Sequence, residues 1–346
     1  MMALLRRAAG LCAVIAAIFT IVVLAAPCCA AFEAGQAKDK PAQVSDGETK
    51  AVAKINAAPD PAAKILAVGE FVKKYPKSSL RGQVLSALAG EINKVEDGAK
   101  RISLFEGLLT VFTGPADAEV INPMLVDAYV NANRLDDGFA FGAKVVQNNP
   151  NDLVTLTSLT MIGSYQASQQ NPKYVKQAQE SGAKAIAIIE SGKKPDSLDE
   201  TRWTEYQTKI LPQLYQRMGL MSMVSGNRDD ARAKLEKAAA LNPNDPITYY
   251  SLAGVLNEEY TQKAQEFQKQ SPGPLKDLKL KEAEAAMDKV IEMWARVVGM
   301  SEGNPQLQPL HDATLQDLQR YYKYRHGGKE DGLQLLVDKY KKSSGQ

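Results

Sequence analysis

Gly226-Asn227-Arg228-Asp229-Asp230-Ala231, running on to Leu241-Asn242-Pro243-Asn244-Asp245, is the stretch whose reading decides the fold. It spells one helix with its punctuation: an Asp pair opens the run, and Asn-Pro-Asn-Asp closes it. The same punctuation recurs 93 residues upstream, where Asn133-Arg134-Leu135-Asp136-Asp137-Gly138 leads to Asn148-Asn149-Pro150-Asn151-Asp152. Both Asp pairs and the Pro-Asn-Asp terminus fall in register. Such self-similarity points to stacked helical pairs, because one pair cannot bury its apolar face alone.

The residues around the closing proline carry a finer pattern. Tyr215 supplies an aromatic, Met218 and Gly219 a large-small pair, and Ala231, Leu235 and Ala238 lie at helical spacing before Pro243. Gly219 and Ala231 let two helix backbones approach, Leu235 fills the gap beside them, and Pro243 stops the helix. With Pro243 as the terminal proline the unit starts at Pro212, and it resembles a tetratricopeptide repeat of about 34 residues. The unit ending at Pro150 resembles it at Leu125, Tyr129, Gly138, Gly142, Val145 and Pro150, with Asn122 standing where the family has an aromatic.

Helical pairs continue on both sides. Pro61 to Lys74 reads as a second helix, Leu80 to Val95 and Ala99 to Phe112 as a pair, and Leu153 to Gln169 with Tyr174 to Ile189 as another. Leu198 to Leu211 adds a segment with Trp203 that fuses into a kinked long helix before Pro212. Ile247 to Gln270 and Leu278 to Gly299 form an enlarged hairpin around Ser271-Pro272-Gly273-Pro274. Its facing stripes are Leu252, Leu256, Tyr260, Ala264 and Phe267 against Ala283, Met287, Ile291, Trp294 and Val298. Gln306 to Arg325 and Lys329 to Lys342 make a last pair, with Leu333, Leu335, Leu336, Val337 and Tyr340 inward. No window alternates like a strand. The expected fold is all-α, a right-handed superhelical solenoid of antiparallel helix pairs with one enlarged helical hairpin, spanning residues 47–343 before a short tail, 344–346.

The N-terminus addresses the compartment. Arg6-Arg7 precedes an apolar stretch from Ala8 to Ala26 and small residues through Ala31, the pattern of a secretory signal peptide over 1–31. Cleavage after Ala30 or Ala31 fits; the alternative is an uncleaved membrane anchor, since the stretch is long enough to span. Cys28 and Cys29 also suggest a lipoprotein, but Pro27 and Cys28 are poor substitutes for the small residue that lipid attachment needs. Residues 32–46 are polar and small, the composition of a flexible linker. The expected location is periplasmic or secreted.

Composition narrows the function classes. Cys12, Cys28 and Cys29 are the 3 cysteines, all within the signal, so the cleaved chain has no disulfide, thiol nucleophile or cysteine metal site. Setting aside Arg6 and Arg7, 40 of the 42 basic residues remain against 40 acidic ones, with no basic stripe for nucleic acid. The 2 histidines, His311 and His326, make no ligand cluster, and no phosphate loop, zinc-protease helix or nucleophile elbow occurs. The expectation is a non-catalytic protein without cofactor or metal.

The resemblance then implies a groove lined by first helices that receives a peptide or partner helix. Its positions would be Gln213, Gln216, Leu220 and Met223 in the unit from Pro212, and Tyr250, Asn257 and Glu258 in the next. In the unit ending at Pro150 they would be Asp127, Val130 and Asn131. Asn131 and Asn257 alone do not form the family's carboxylate clamp, because the basic residues are missing, so a mixed polar and apolar groove is expected. The reading is a protein-interaction scaffold of the cell envelope or secreted space; the alternatives are a periplasmic ligand-binding module or an enzyme with its site in the long hairpin.

Overall fold

The computed structural model describes residues 44–341; the signal, most of the linker and the tail expected above lie outside the described residues. The helices are α1 (Asp46–Ala57), α2 (Pro61–Lys74), α3 (Arg81–Asn93), α4 (Gly98–Val111), α5 (Pro115–Asn131), α6 (Leu135–Asn148), α7 (Leu153–Ser168) and α8 (Val175–Glu190). They continue as α9 (Glu200–Glu205), α10 (Leu211–Val224), α11 (Arg228–Leu241), α12 (Pro246–Gln268), α13 (Pro274–Ser301), α14 (Gln308–Arg325) and α15 (Leu333–Asp338). No strand occurs among the described residues. The fold of the described residues is all-α, built of packed helix pairs.

Local chemistry sets the boundaries. Ser45 and Glu48 form a capping box on α1, one residue inside the expected linker. Asp60, Asp97 and Asn227 each accept a hydrogen bond from the first turn of the following helix. Between α9 and α10 one π-turn, Tyr206–Ile210, keeps the chain helical, and the Leu211 N–H reaches back to the Tyr206 carbonyl. The chain is therefore helical without a break from Glu200 to Val224.

Two compact units divide the chain. The N-terminal one holds residues 44–159 and 181–204, and within it α2 packs on α4 and α3 on α5, second helices on second and first on first. Its core includes Val68, Phe71, Leu85, Phe105, Leu108, Phe112, Ile121 and Leu125, all nearly inaccessible. The C-terminal unit holds 160–180 and 205–341. There Gly219 of α10 faces Leu235 and Ala231 of α11; Leu235, Ala231 and Ala238 are fully buried. A Cβ on Gly219 would stand 2.7 Å from Leu235 Cγ, so the close approach needs glycine.

The enlarged hairpin α12/α13 has the expected facing stripes: Leu252, Leu256, Tyr260 and Ala264 are buried against Met287, Ile291, Trp294 and Val298. Tyr321 of α14 enters this cluster edge-on to Trp294, ring centroids 4.7 Å apart, and to Tyr260 at 5.7 Å.

The last helix departs from expectation. Instead of running from Lys329 to Lys342, α15 covers only Leu333–Asp338, because Gly327, Gly328 and Gly332 all adopt positive φ and hold the chain in turns. Leu335, expected to face inward, is 72% exposed, while Leu333 and Val337 are buried. A six-residue helix has room for one inward ridge only.

Candidate functional site

In the C-terminal unit the first helices α10, α12 and α14 are tied side by side through polar groups. Gln216 of α10 donates from Nε2 to Asp245 Oδ2 at 2.7 Å and to Thr248 Oγ1 of α12 at 2.8 Å. Tyr321 of α14 donates its hydroxyl to Asn257 Oδ1 of α12 at 2.8 Å. Asp245 also caps α12 through the Ile247 and Thr248 amides.

These ties sort the expected groove residues. Gln216 is buried and committed to α12, and Tyr250 is buried as well, so neither offers a free surface. Burial pushes the Tyr250 hydroxyl up to about 12, with the Asp317 carboxylate adding to the shift. Gln213, Leu220 and Met223 are half-buried on α10, Met223 against the hairpin core. Glu258 is exposed but paired with Arg228 at 2.8 Å. Asn257 is half-buried; its carbonyl is held by Tyr321, and no hydrogen bond from its NH2 occurs among the described residues. The structural positions Tyr215, Pro243, Tyr129 and Pro150 lie at the edges of the pairs: Lys237 sits over the Tyr215 ring, Tyr129 donates to Glu106 at 2.8 Å, and both prolines are exposed.

The α14 contribution was not singled out in the sequence. Asp317 is half-buried beside Arg320, and burial raises its pKa against the pull of that guanidinium. Tyr324, 49% exposed, lies about one turn or less from both Asp317's partner and Tyr321 along the helix. The Tyr321-Tyr322-Tyr324 spacing behind a first-helix pattern was the available signal.

In the N-terminal unit, Asp127, Val130 and Asn131 occupy the last turns of α5. Water reaches Asp127, yet protein crowds it, and the lost hydration pushes its carboxyl up to about 6 against the opposing field of Arg101. Val130 is half-buried and Asn131 exposed. This unit offers the carboxylate, and the C-terminal unit offers the amide and aromatics.

No group of three or more His, Cys, Asp and Glu that could hold a metal occurs among the described residues. His311 lies 3.0 Å from Asp312 through Nδ1, and His326 stacks on Tyr322 at 3.9 Å. No described helix is long and apolar enough to cross a membrane.

No family model and no curated protein matches the chain. Among solved structures it is similar to a thermophilic TPR protein from Thermus thermophilus, at 15% identity and a TM-score of 0.39, over 68% of this chain and 98% of that one. It is also similar to a tetratricopeptide repeat protein from Parabacteroides merdae, at 14% identity and a TM-score of 0.35, over 77% of this chain and 96% of that one.

Proposed function

We propose that the chain is a non-catalytic interaction scaffold whose α10–α12–α14 face receives a peptide or helix from a partner protein. The observation that carries this reading is Asn257. Tyr321 fixes the amide's orientation from the carbonyl side, leaving the NH2 to donate to a main-chain carbonyl of a bound segment. Leu220 and Tyr324 supply apolar and aromatic contact on either side in the order of the helices. An amide held before the partner arrives costs less ordering on binding. The charge balance disfavours nucleic acid as a partner class, and membrane contact enters only if the N-terminal segment stays uncleaved. Export through that segment, with cleavage after Ala30 or Ala31, belongs to the same proposal and is read by N-terminal sequencing of the mature protein.

The test is affinity capture of the tagged protein from its native cells, beside Leu220→Asp with Asn257→Asp. Aspartate at 257 keeps the acceptor for Tyr321 and removes the donor. A partner held by the native chain and lost by the variant supports the face; a partner held equally by both removes it from consideration. No partner at all sinks the scaffold reading in favour of a ligand-binding module.

A further inference from the structure

In the last helix pair, α15 packs more on α13 than on α14, its partner in sequence. Gly299 of α13 is the cause: a Cβ there would stand 2.6 Å from the Val337 carbonyl oxygen and 2.9 Å from the Tyr340 carbonyl carbon. Only glycine admits the α15 backbone so closely. Tyr340 reinforces the docking, donating to Glu292 at 3.0 Å with the Arg296 guanidinium 4.6 Å over its ring. At the other end Tyr322 donates to the Asp331 carbonyl at 2.7 Å and pins the turn before α15.

Leaning on α13, α15 parts from α14 and opens a cavity of about 370 Å³. Its apolar lining comes from Val298 of α13 and Leu315 of α14 with Leu333 and Val337 of α15. Its polar lining is rich in acceptors. Glu302 and Glu330 are the two acidic residues of the lining. Gln334 spends its amide nitrogen on Asp338 at 2.8 Å and keeps its carbonyl oxygen. His311 places Nδ1 at 3.0 Å from Asp312, and which ring nitrogen donates depends on the tautomer. Gln319 is the remaining polar group and can serve either way.

We propose that this cavity binds a small organic cation, an ammonium carried on an apolar body. The two carboxylates already accept ammonium groups, Lys341 on Glu302 at 3.0 Å and Lys323 on Glu330 at 2.8 Å. All four side chains are at least a third exposed, and ion pairs so hydrated contribute little, so a ligand's ammonium can exchange with them. The volume is in the range of small-molecule sites, which combine an apolar lining with a few placed polar groups. This site is on different residues from the α10–α12–α14 face, and neither proposal depends on the other.

The probe is phenethylammonium, titrated into the intact protein by calorimetry or NMR beside phenylpropionate, which has a similar apolar body and the opposite charge. Saturable binding of the cation is expected, with the anion not binding. Glu302→Gln and Glu330→Gln should each weaken it several-fold, and Leu315→Trp, which fills the cavity, should abolish it. Equal binding of the anion, absence of saturable binding up to millimolar probe, or binding that survives Leu315→Trp overturns the proposal. Should Leu315→Trp lose its cooperative melting, the Glu302→Gln, Glu330→Gln double variant decides alone, and unchanged affinity overturns the proposal.

Discussion

Gly219 of α10 faces Leu235 of α11; at the matching places in α5 and α6, 93 residues earlier, stand Val126 and Gly142. Bulk and gap have changed helices. In α10/α11 the gap is filled from within the pair, by Leu235. In α5/α6 the gap at Gly142 is filled by Leu159 of α7, whose Cδ2 lies 2.8 Å from where a Cβ would stand. The turns, by contrast, repeat almost atom for atom. Asn133 and Gly226 both take positive φ, 57° and 74°. Asn149 and Asn242 each accept from the amide two residues on, at 3.3 and 3.4 Å. Asp152 with Thr155 and Asp245 with Thr248 form the same cap on the following helix. Turns recur because backbone chemistry is local and leaves few solutions. A core needs only a filled volume, and any adjoining helix can supply it.

The largest test of that contrast is Leu235→Ala, which empties a fully buried site and should cost about 2–5 kcal/mol in denaturant unfolding. Gly219→Val, which installs the residue of the matching position, should cost about 1–3 kcal/mol by overpacking. Made together they should cost less than their sum, with a coupling of about 0.5–3 kcal/mol, because the new side chain enters the space that Leu235 vacates. Strict additivity would mean that the two residues do not share one gap. Gly142→Ala should cost less than Gly219→Ala. The three atoms nearest its Cβ all belong to the Leu159 side chain, whereas at Gly219 the Ala231 backbone carbonyl, 3.2 Å away, also blocks it. Equal losses would break the distinction.

The shared cap gives a smaller effect. Asp152→Ala and Asp245→Ala each remove an acceptor from a helix start, for about 1 kcal/mol. Asp245→Ala should cost more of the two, because it also takes from the buried Gln216 amide one of its two acceptors, the carboxylate at 2.7 Å. Thermal unfolding of both variants ranks them.

The same division explains what the sequence disclosed. Proline, the Asp pairs and the Gly-Ala spacing announced the helix pairs, because each acts within a turn of itself. The stripes of α12 and α13 were legible for the same reason, since 3.6-residue periodicity marks which face is buried. What periodicity omits is the neighbour. Gln216 and Tyr250 occupy groove positions by spacing, yet the polar side chains of Asp245 and Thr248 draw Gln216 inward, and Tyr250 is covered. Asp317 and Tyr321 escaped because the 28-residue α13 breaks the repeat length before α14 begins. Gly299 gave no hint that it would receive the backbone of α15, and Leu335 looked inward only while a longer helix was assumed.

The smallest effect concerns another exchanged pair, Asp127 of α5 and Leu220 of α10, again 93 residues apart. Crowding by protein pushes the Asp127 carboxyl from an ordinary 3.8 up to about 6, with Arg101 opposing. The folded state therefore holds the proton more tightly than the unfolded chain does. Below about pH 4 both states are protonated and the stability linked to that proton is fully present. As pH rises through about 6 the folded carboxyl ionises at a cost, and that stability is lost. Asp127→Asn removes the cost, so the variant should match the native chain near pH 3 and exceed it at pH 8. Water reaches this side chain, so screening keeps the gain to about 0.5 kcal/mol or less. Leu220→Asn, at the matching position with no carboxylate to relieve, should show no gain that grows with pH. A pH series of denaturant midpoints for the three proteins decides it: a gain for Asp127→Asn that is flat across pH would show that the carboxyl is as well hydrated folded as unfolded, and the two positions would then be electrostatically alike.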